Sequence, residues 1–172
     1  MSAITVLGVD PGSRCTGFGV VQEVSGQARL VVAGCIRLDP KQPASPRLGE
    51  LFARVQDLIG DYGPQAVAVE TVFAARNPDS ALKLGQARGA VLAACGRCGV
   101  PVFGYAPTVV KKAVTGVGRA EKEQVRFMVG RILGAGNTLP LDASDALAVA
   151  ICYLHHQRLA RLAAVQTAAT LL

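Results

Sequence analysis

The chain has 172 residues, enough for one domain with its own core; 51% of it is hydrophobic but only 5% aromatic, with no Trp, so an aliphatic core with few base-stacking side chains is expected. The net charge of +6 is uneven: residues 1–75 hold 6 basic and 7 acidic side chains, net −1, whereas residues 76–172 hold 12 and 5, net +7, a bias that suits a polyanionic partner as well as a solubilised surface. No apolar run approaches the ~20 residues of a membrane span, no basic leader precedes the first apolar segment, and five cysteines without a secretory context are expected as reduced thiols in the cytoplasm.

Ile4 to Val9 is an apolar run that ends at the turn signal Asp10-Pro11-Gly12. Thr16 to Val24 and Arg29 to Leu38 are β-prone, and Ser25-Gly26-Gln27 between them reads as a hairpin turn. These three segments predict an antiparallel meander. Asp39 to Pro46, with three prolines, reads as a loop. Leu48, Leu51, Phe52, Val55, Leu58 and Ile59 then follow helical spacing up to Gly63-Pro64. Ala66 to Val69 is wholly apolar, as a central strand covered on both faces requires.

Asn77 or Asp79 can cap a long helix that runs to about Gly96 or Gly99. Pro101 to Tyr105 predicts another strand, and Thr108 can cap a short helix broken at Gly116-Val117-Gly118. A helix from about Ala120 to Leu133 has Val125, Val129, Ile132 and Leu133 on one face, and another is expected from Leu141 to His156. The pattern is α/β: a five-stranded mixed sheet, three antiparallel strands followed by parallel additions, flanked by helices. Residues 1–156 are read as one domain and 157–172 as a tail, helical or frayed.

Acids stand where this plan would bring chemistry together. Asp10 ends the first strand and Glu70 the fourth, and sites in open α/β sheets form at carboxyl ends of strands. If those strands are parallel neighbours, the two acids emerge side by side. Asp142 and Asp145, three apart at the start of the last helix, share a face near a helix N-terminus that favours negative charge. Each alone suits a solvated loop acid or a cap. Gathered together they would repel, and a divalent cation resolves the repulsion. Hard oxygen donors select Mg2+, with Mn2+ as a substitute, and two such ions are the usual device for cutting a phosphodiester.

Lys111, Lys112, Arg119 and Lys122 flank the glycine break, where cations on a flexible loop suit phosphate contacts as well as a solvated surface. Arg76, Lys83 and Arg88 extend the basic track, with Lys83 and Arg88 not ideally on one face. Gly85 and Gly89 permit close helix approach, within the chain or between two copies. Cys95-x-x-Cys98 closes a helix rather than opening one and lacks a second ligand pair, which argues against redox or zinc chemistry there. Cys15, Cys35 and Cys152 read as ordinary small core residues, and His155 and His156 as structural or exposed.

Gly8-Val9-Asp10-Pro11-Gly12-Ser13 with Thr16-Gly17-Phe18-Gly19-Val20 resembles the opening of the RuvC family of Holliday-junction resolvases. The segments Val69-Glu70 with Val72-Phe73, Asn77 through Gly89, Ala120-Glu121-Lys122 and Asp142 through Ala148 resemble the same family, over roughly residues 3–155. The resemblance implies an RNase H-like fold, a homodimer, and paired symmetric nicks across four-way junction DNA that leave 5'-phosphate and 3'-hydroxyl ends. It implies two Mg2+ held by Asp10, Glu70, Asp142 and Asp145, phosphate-binding or catalytic roles for Lys111 and Lys122, and base stacking by Phe73 near the branch point. RuvA and RuvB, the branch-migration helicase complex, are the implied partners. Thr71 stands where the resemblance leads one to expect Gln.

Two other classes compete. A phosphotransferase of the actin and sugar-kinase type also places an acid and glycines after its first strand, but needs two related domains and an adenosine pocket. A non-catalytic nucleic-acid-binding module explains the basic half but not four acids at sheet-related places.

Overall fold

The N-terminal β-prone segments form β1 (Ile4–Asp10), β2 (Cys15–Val24) and β3 (Gln27–Arg37), paired antiparallel in sequence order. Ser25 (φ 51°) and Gly26 (φ 80°) make the two-residue turn between Val24 and Gln27. Two positive φ angles in succession match the right-handed twist of the strands they join. After α1 (Ala44–Tyr62), β4 (Ala66–Glu70) adds parallel to β1. After α2 (Pro78–Arg97), β5 (Val102–Tyr105) adds parallel to β4. The sheet order is β3-β2-β1-β4-β5, the mixed five-stranded plan expected. α3 (Pro107–Thr115), α4 (Lys122–Leu133) and α5 (Leu141–Thr170) follow. The computed structural model describes residues 3–71, 77–136 and 139–170.

Several boundaries differ from the sequence reading for local reasons. The Asp39–Pro46 loop is shorter, because α1 begins at Ala44 and Pro46 sits in its first turn, where a missing N–H costs nothing. α3 is capped at Ala106 with Pro107 in its first turn, not at Thr108. α4 starts at Lys122, and Ala120 instead donates its N–H to the Val117 carbonyl. Ile132 leaves the buried stripe of Val125, Val129 and Leu133 and is exposed. The last helix continues past His156 to Thr170.

The sheet has a core on each face. Leu7, Val9, Val20, Val67 and Val69 pack with Leu51, Val55 and Ile59 of α1 and with Ala87, Val91 and Ala94 of α2. Val6, Val21, Ala66 and Ala68 face the opposite side, against Leu147, Ala148 and Ile151 of α5 with Val110, Val125 and Val129. Each fully buried Val or Leu contributes about 1.5–3 kcal/mol. The α5 face is lined by small residues. A Cβ on Gly8 would collide with the Ala146 carbonyl, and one on Gly17 with the Asp142 carbonyl. The backbone of α5 therefore lies directly on β1 and β2.

Cys15 and Cys35 correct the expectation of reduced, buried core residues. Both are half-buried, and they are joined as a disulfide between β2 and β3 with Cα atoms 5.9 Å apart. Gly17 pairs with Cys35 across these strands, so Cys15, two residues earlier, shares its face. Cys95 and Cys152 are buried free thiols and Cys98 is an exposed one. Among the described residues no helix is long and apolar enough to cross a membrane.

Candidate active site

In the parallel β1–β4 pair Val9 stands opposite Val69, both fully buried, so Asp10 and Glu70 leave adjacent strand ends side by side. The loop beyond Asp10 is closed by Thr16. Its buried hydroxyl donates to the Gly12 carbonyl (3.1 Å) and accepts from the Gly12 N–H (3.2 Å). Asp10 and Glu70 share a side-chain hydrogen bond. Burial, then the Asp10 charge and that hydrogen bond, then the charge of Asp145, push Glu70 from 4.5 up to about 8. Asp10 is raised as well, chiefly by burial. Without a cation the pair thus holds a proton, with the Glu70 O–H donating to the Asp10 carboxylate.

The third wall is α5. The Pro140 carbonyl accepts from the N–H groups of Ala143 and Ser144 and starts the helix. Asp145, half-buried one turn in, reaches the same cleft. Lys122, in the first turn of α4, places Nζ 3.2 Å from Asp145 Oδ2. Asp145 chiefly, with Asp10 and Glu70 adding, raises Lys122 above its ordinary value. Asp10, Glu70, Lys111, Lys122 and Asp145 line one cleft of ≈ 260 Å³, floored by Val110, Val125 and Ala148.

Asp142 departs from the others. One helical turn advances 3.6 residues, so a three-residue offset leaves about 60° of rotation and about 4.5 Å along the axis. Asp142 is exposed, and a carboxylate oxygen lies within 4.8 Å of both Cys15 and Cys35 Sγ. Its charge still reaches Asp10 and raises it slightly. The basic residues also divide. Lys112, next to Lys111 on α3, points to a separate apolar cleft with Val109, His155 and Leu159. Lys83 lies beside Arg14 and Arg47 in a cleft of ≈ 390 Å³. Arg14 and Arg47 were not singled out from the sequence, since only the fold brings the β1–β2 loop to α1 and α2. Arg119 is exposed in the α3–α4 turn. Phe73 and Arg76 lie outside the described residues.

A larger cleft, ≈ 760 Å³, opens where the β2–β3 turn meets α4 and α5. It sits at the other end of the sheet, since Glu23 pairs with Ile4 at the start of β1. Among the described residues, the one carboxylate lining it, Glu23, is 3.4 Å from Arg158. The acids gather instead in the smaller cleft, which is the candidate chemical site.

Residues 6–153 match the family described as crossover junction endodeoxyribonuclease RuvC. The RuvC of Nitratidesulfovibrio vulgaris (strain DP4) is 53% identical over 163 residues, covering 94% of this chain and 97% of that protein. The RuvC of Halorhodospira halophila is 48% identical over 164 residues, covering 95% and 97%. T. thermophilus RuvC, solved in complex with a Holliday junction substrate, matches with a TM-score of 0.86 and 41% identity over 91% of this chain and 96% of that one. The yeast mitochondrial Holliday junction resolvase Ydc2 shares the fold, with a TM-score of 0.64 at 12% identity over 89% and 80% of the two chains. With a family match that runs from β1 into α5, around a sheet of RNase H-like order, the chain belongs to the RuvC family of crossover junction endodeoxyribonucleases.

Proposed function

We propose that this chain resolves four-way junction DNA by hydrolysing one phosphodiester on each of two opposed strands, and that the cleft of Asp10, Glu70 and Asp145 is where each bond is cut. One observation carries the reading: a half-buried Asp10–Glu70 pair at adjacent strand ends, with Glu70 raised to about 8, opposite Asp145 and Lys122. Half-buried carboxylates that share a proton when alone are a donor set for a hard divalent cation. Asp10, Glu70 and Asp145 would hold Mg2+, two ions per site, with Mn2+ able to substitute, and Asp142 would complete the set from the flank. Bound there, the ions supply an activated water and charge relief at the leaving oxygen.

The chain's own groups bind and orient. Strand ends β1 and β4 fix Asp10 and Glu70, and α5 fixes Asp145. Lys111 and Lys122 bind the phosphate beside the scissile bond, and the charge of Lys122 offsets the carboxylate excess until DNA arrives. Lys112, Arg119, Lys83 and Arg76 contact the more distant phosphate backbone. Phe73, three residues beyond Glu70 in the chain, stacks on a base exposed at the branch. The products are 5'-phosphate and 3'-hydroxyl ends.

Paired nicks need two such clefts, so the active species is a homodimer whose symmetry follows that of the junction. Leu82, Gly85 and Gly89 of α2 support this: Leu82 is 64% exposed and the two glycines face open space. That openness favours contact with a second copy over tight packing within the chain. The enzyme acts in the cytoplasm with RuvA and RuvB, a reading supported by family membership.

Cleavage of a synthetic four-way junction against linear duplex, with and without Mg2+, tests the proposal. Symmetric nicking of the junction only with metal is expected. Equal cutting of linear duplex, or cutting without metal, would overturn it.

A further inference from the structure

We propose that Cys15, Cys35 and Asp142 form a second metal site, for a thiophilic divalent cation such as Zn2+, on the flank of the catalytic cleft, and that its occupation inhibits the enzyme by withdrawing Asp142. The two sulfurs meet on one face of the β2–β3 pair, where Gly17 stands opposite Cys35. Gly17 lets the first turn of α5 settle onto these strands, with the Asp142 carbonyl against it. As a result both Sγ atoms and an Asp142 oxygen lie within 4.8 Å of one another. Zinc bonds of about 2.3 Å to sulfur and about 2.1 Å to oxygen, at tetrahedral angles, need donors roughly 3.5–3.8 Å apart. With Cα atoms 5.9 Å apart, the reduced side chains have room to part to that spacing.

The donor chemistry separates this site from the cleft. Two thiolates and one carboxylate suit zinc, whereas an all-oxygen set suits Mg2+. Three protein ligands leave one position for water. The disulfide is the closed form of the site, because joined sulfurs offer no thiolate. Reduction by a dithiol or a phosphine supplies two electrons and breaks the sulfur–sulfur bond to give two thiols. Binding of the cation then forms two metal–sulfur bonds and releases both thiol protons. A reducing compartment keeps the pair open. Inhibition, though not binding, rests on the proposed role of Asp142 in catalysis.

The test uses the full chain reduced with a water-soluble phosphine and titrated with Co2+. A thiolate-to-cobalt absorption band is expected to saturate at one equivalent. It should vanish in the C15S/C35S double variant and in C35A alone, with zinc affinity lower by more than about tenfold. Mg2+-dependent junction cleavage by both variants should match the parent, which shows that they fold. Micromolar Zn2+ should inhibit the parent more than about tenfold as strongly as the variants. Absence of the band, or its persistence in C15S/C35S through Cys95, Cys98 or Cys152, would overturn the site. Loss of the band together with equal zinc inhibition of parent and variants would overturn the inhibitory role of Asp142 alone.

Discussion

Lys122 Nζ lies 3.2 Å from Asp145 Oδ2, which ties the first turn of α4 to the wall of α5 that faces Asp10 and Glu70. The contact is lopsided: the lysine side chain is 72% exposed and the aspartate 29%. The ammonium is thus held at the mouth of a carboxylate cleft, where the proposed phosphate contact would replace its partner.

Lys122→Ala should change stability by less than about 1 kcal/mol, because an exposed ion pair contributes little. Junction binding should weaken, and its log–log dependence on salt should flatten by about one counterion. Fluorescence titrations at several salt concentrations, with single-turnover cleavage, measure both. An unchanged slope and rate would make Lys122 a spectator.

Asp145→Asn keeps the shape of the cleft but removes a charge proposed to hold the cation. Cleavage should fall by more than about a hundredfold, or roughly 3 kcal/mol, while junction binding persists. Gel-shift and single-turnover assays on one preparation separate the two effects. Near-parent cleavage would take Asp145 out of the mechanism.

Glu70 gives stability a pH dependence of known sign. Its carboxyl is ordinarily near 4.5 and sits at about 8 in the folded, metal-free chain. The folded state holds the proton more tightly than the unfolded state between those values. Its stabilising contribution is complete below about 4.5 and is lost as pH rises through about 8. The Tm of the metal-free protein should decline across that window, and Glu70→Gln should flatten the decline. Mg2+, which must displace the proton, should raise Tm more above about pH 8 than below about pH 6. A metal-induced shift independent of pH would contradict the shared proton.

Leu82→Glu places a charge on the exposed face of α2. The proposed dimer should weaken by more than about tenfold, roughly 1.4 kcal/mol, and singly nicked junctions should accumulate. Sedimentation and strand-resolved cleavage report these two effects. An intact dimer would move the interface away from α2.

The sequence carried the sheet and most of the cleft, because their signals are local. An apolar run ending in an acid states both the strand and the residue at its mouth, as at Val9-Asp10 and Val69-Glu70. Features that depend on register were not readable. Cys15 and Cys35 meet only because β2 and β3 pair with a register shift at Val20/Val21, which no spacing along the chain records. Asp142 and Asp145 share a helical face by periodicity, yet the lie of α5 across β2 sends them to different neighbours. Lys111 and Lys112 diverge for a related reason: adjacent residues on a helix point about 100° apart.

At Gly8 and Gly17 the main chain of the helix comes directly against the strands, beside the methyl groups of Ala146 and Ala150. The gap that sets how far Asp145 stands from Asp10 is consequently held at these two points by main-chain contact. A single added methyl at either glycine would meet a main-chain carbonyl of α5, lift the helix and pull the acids apart.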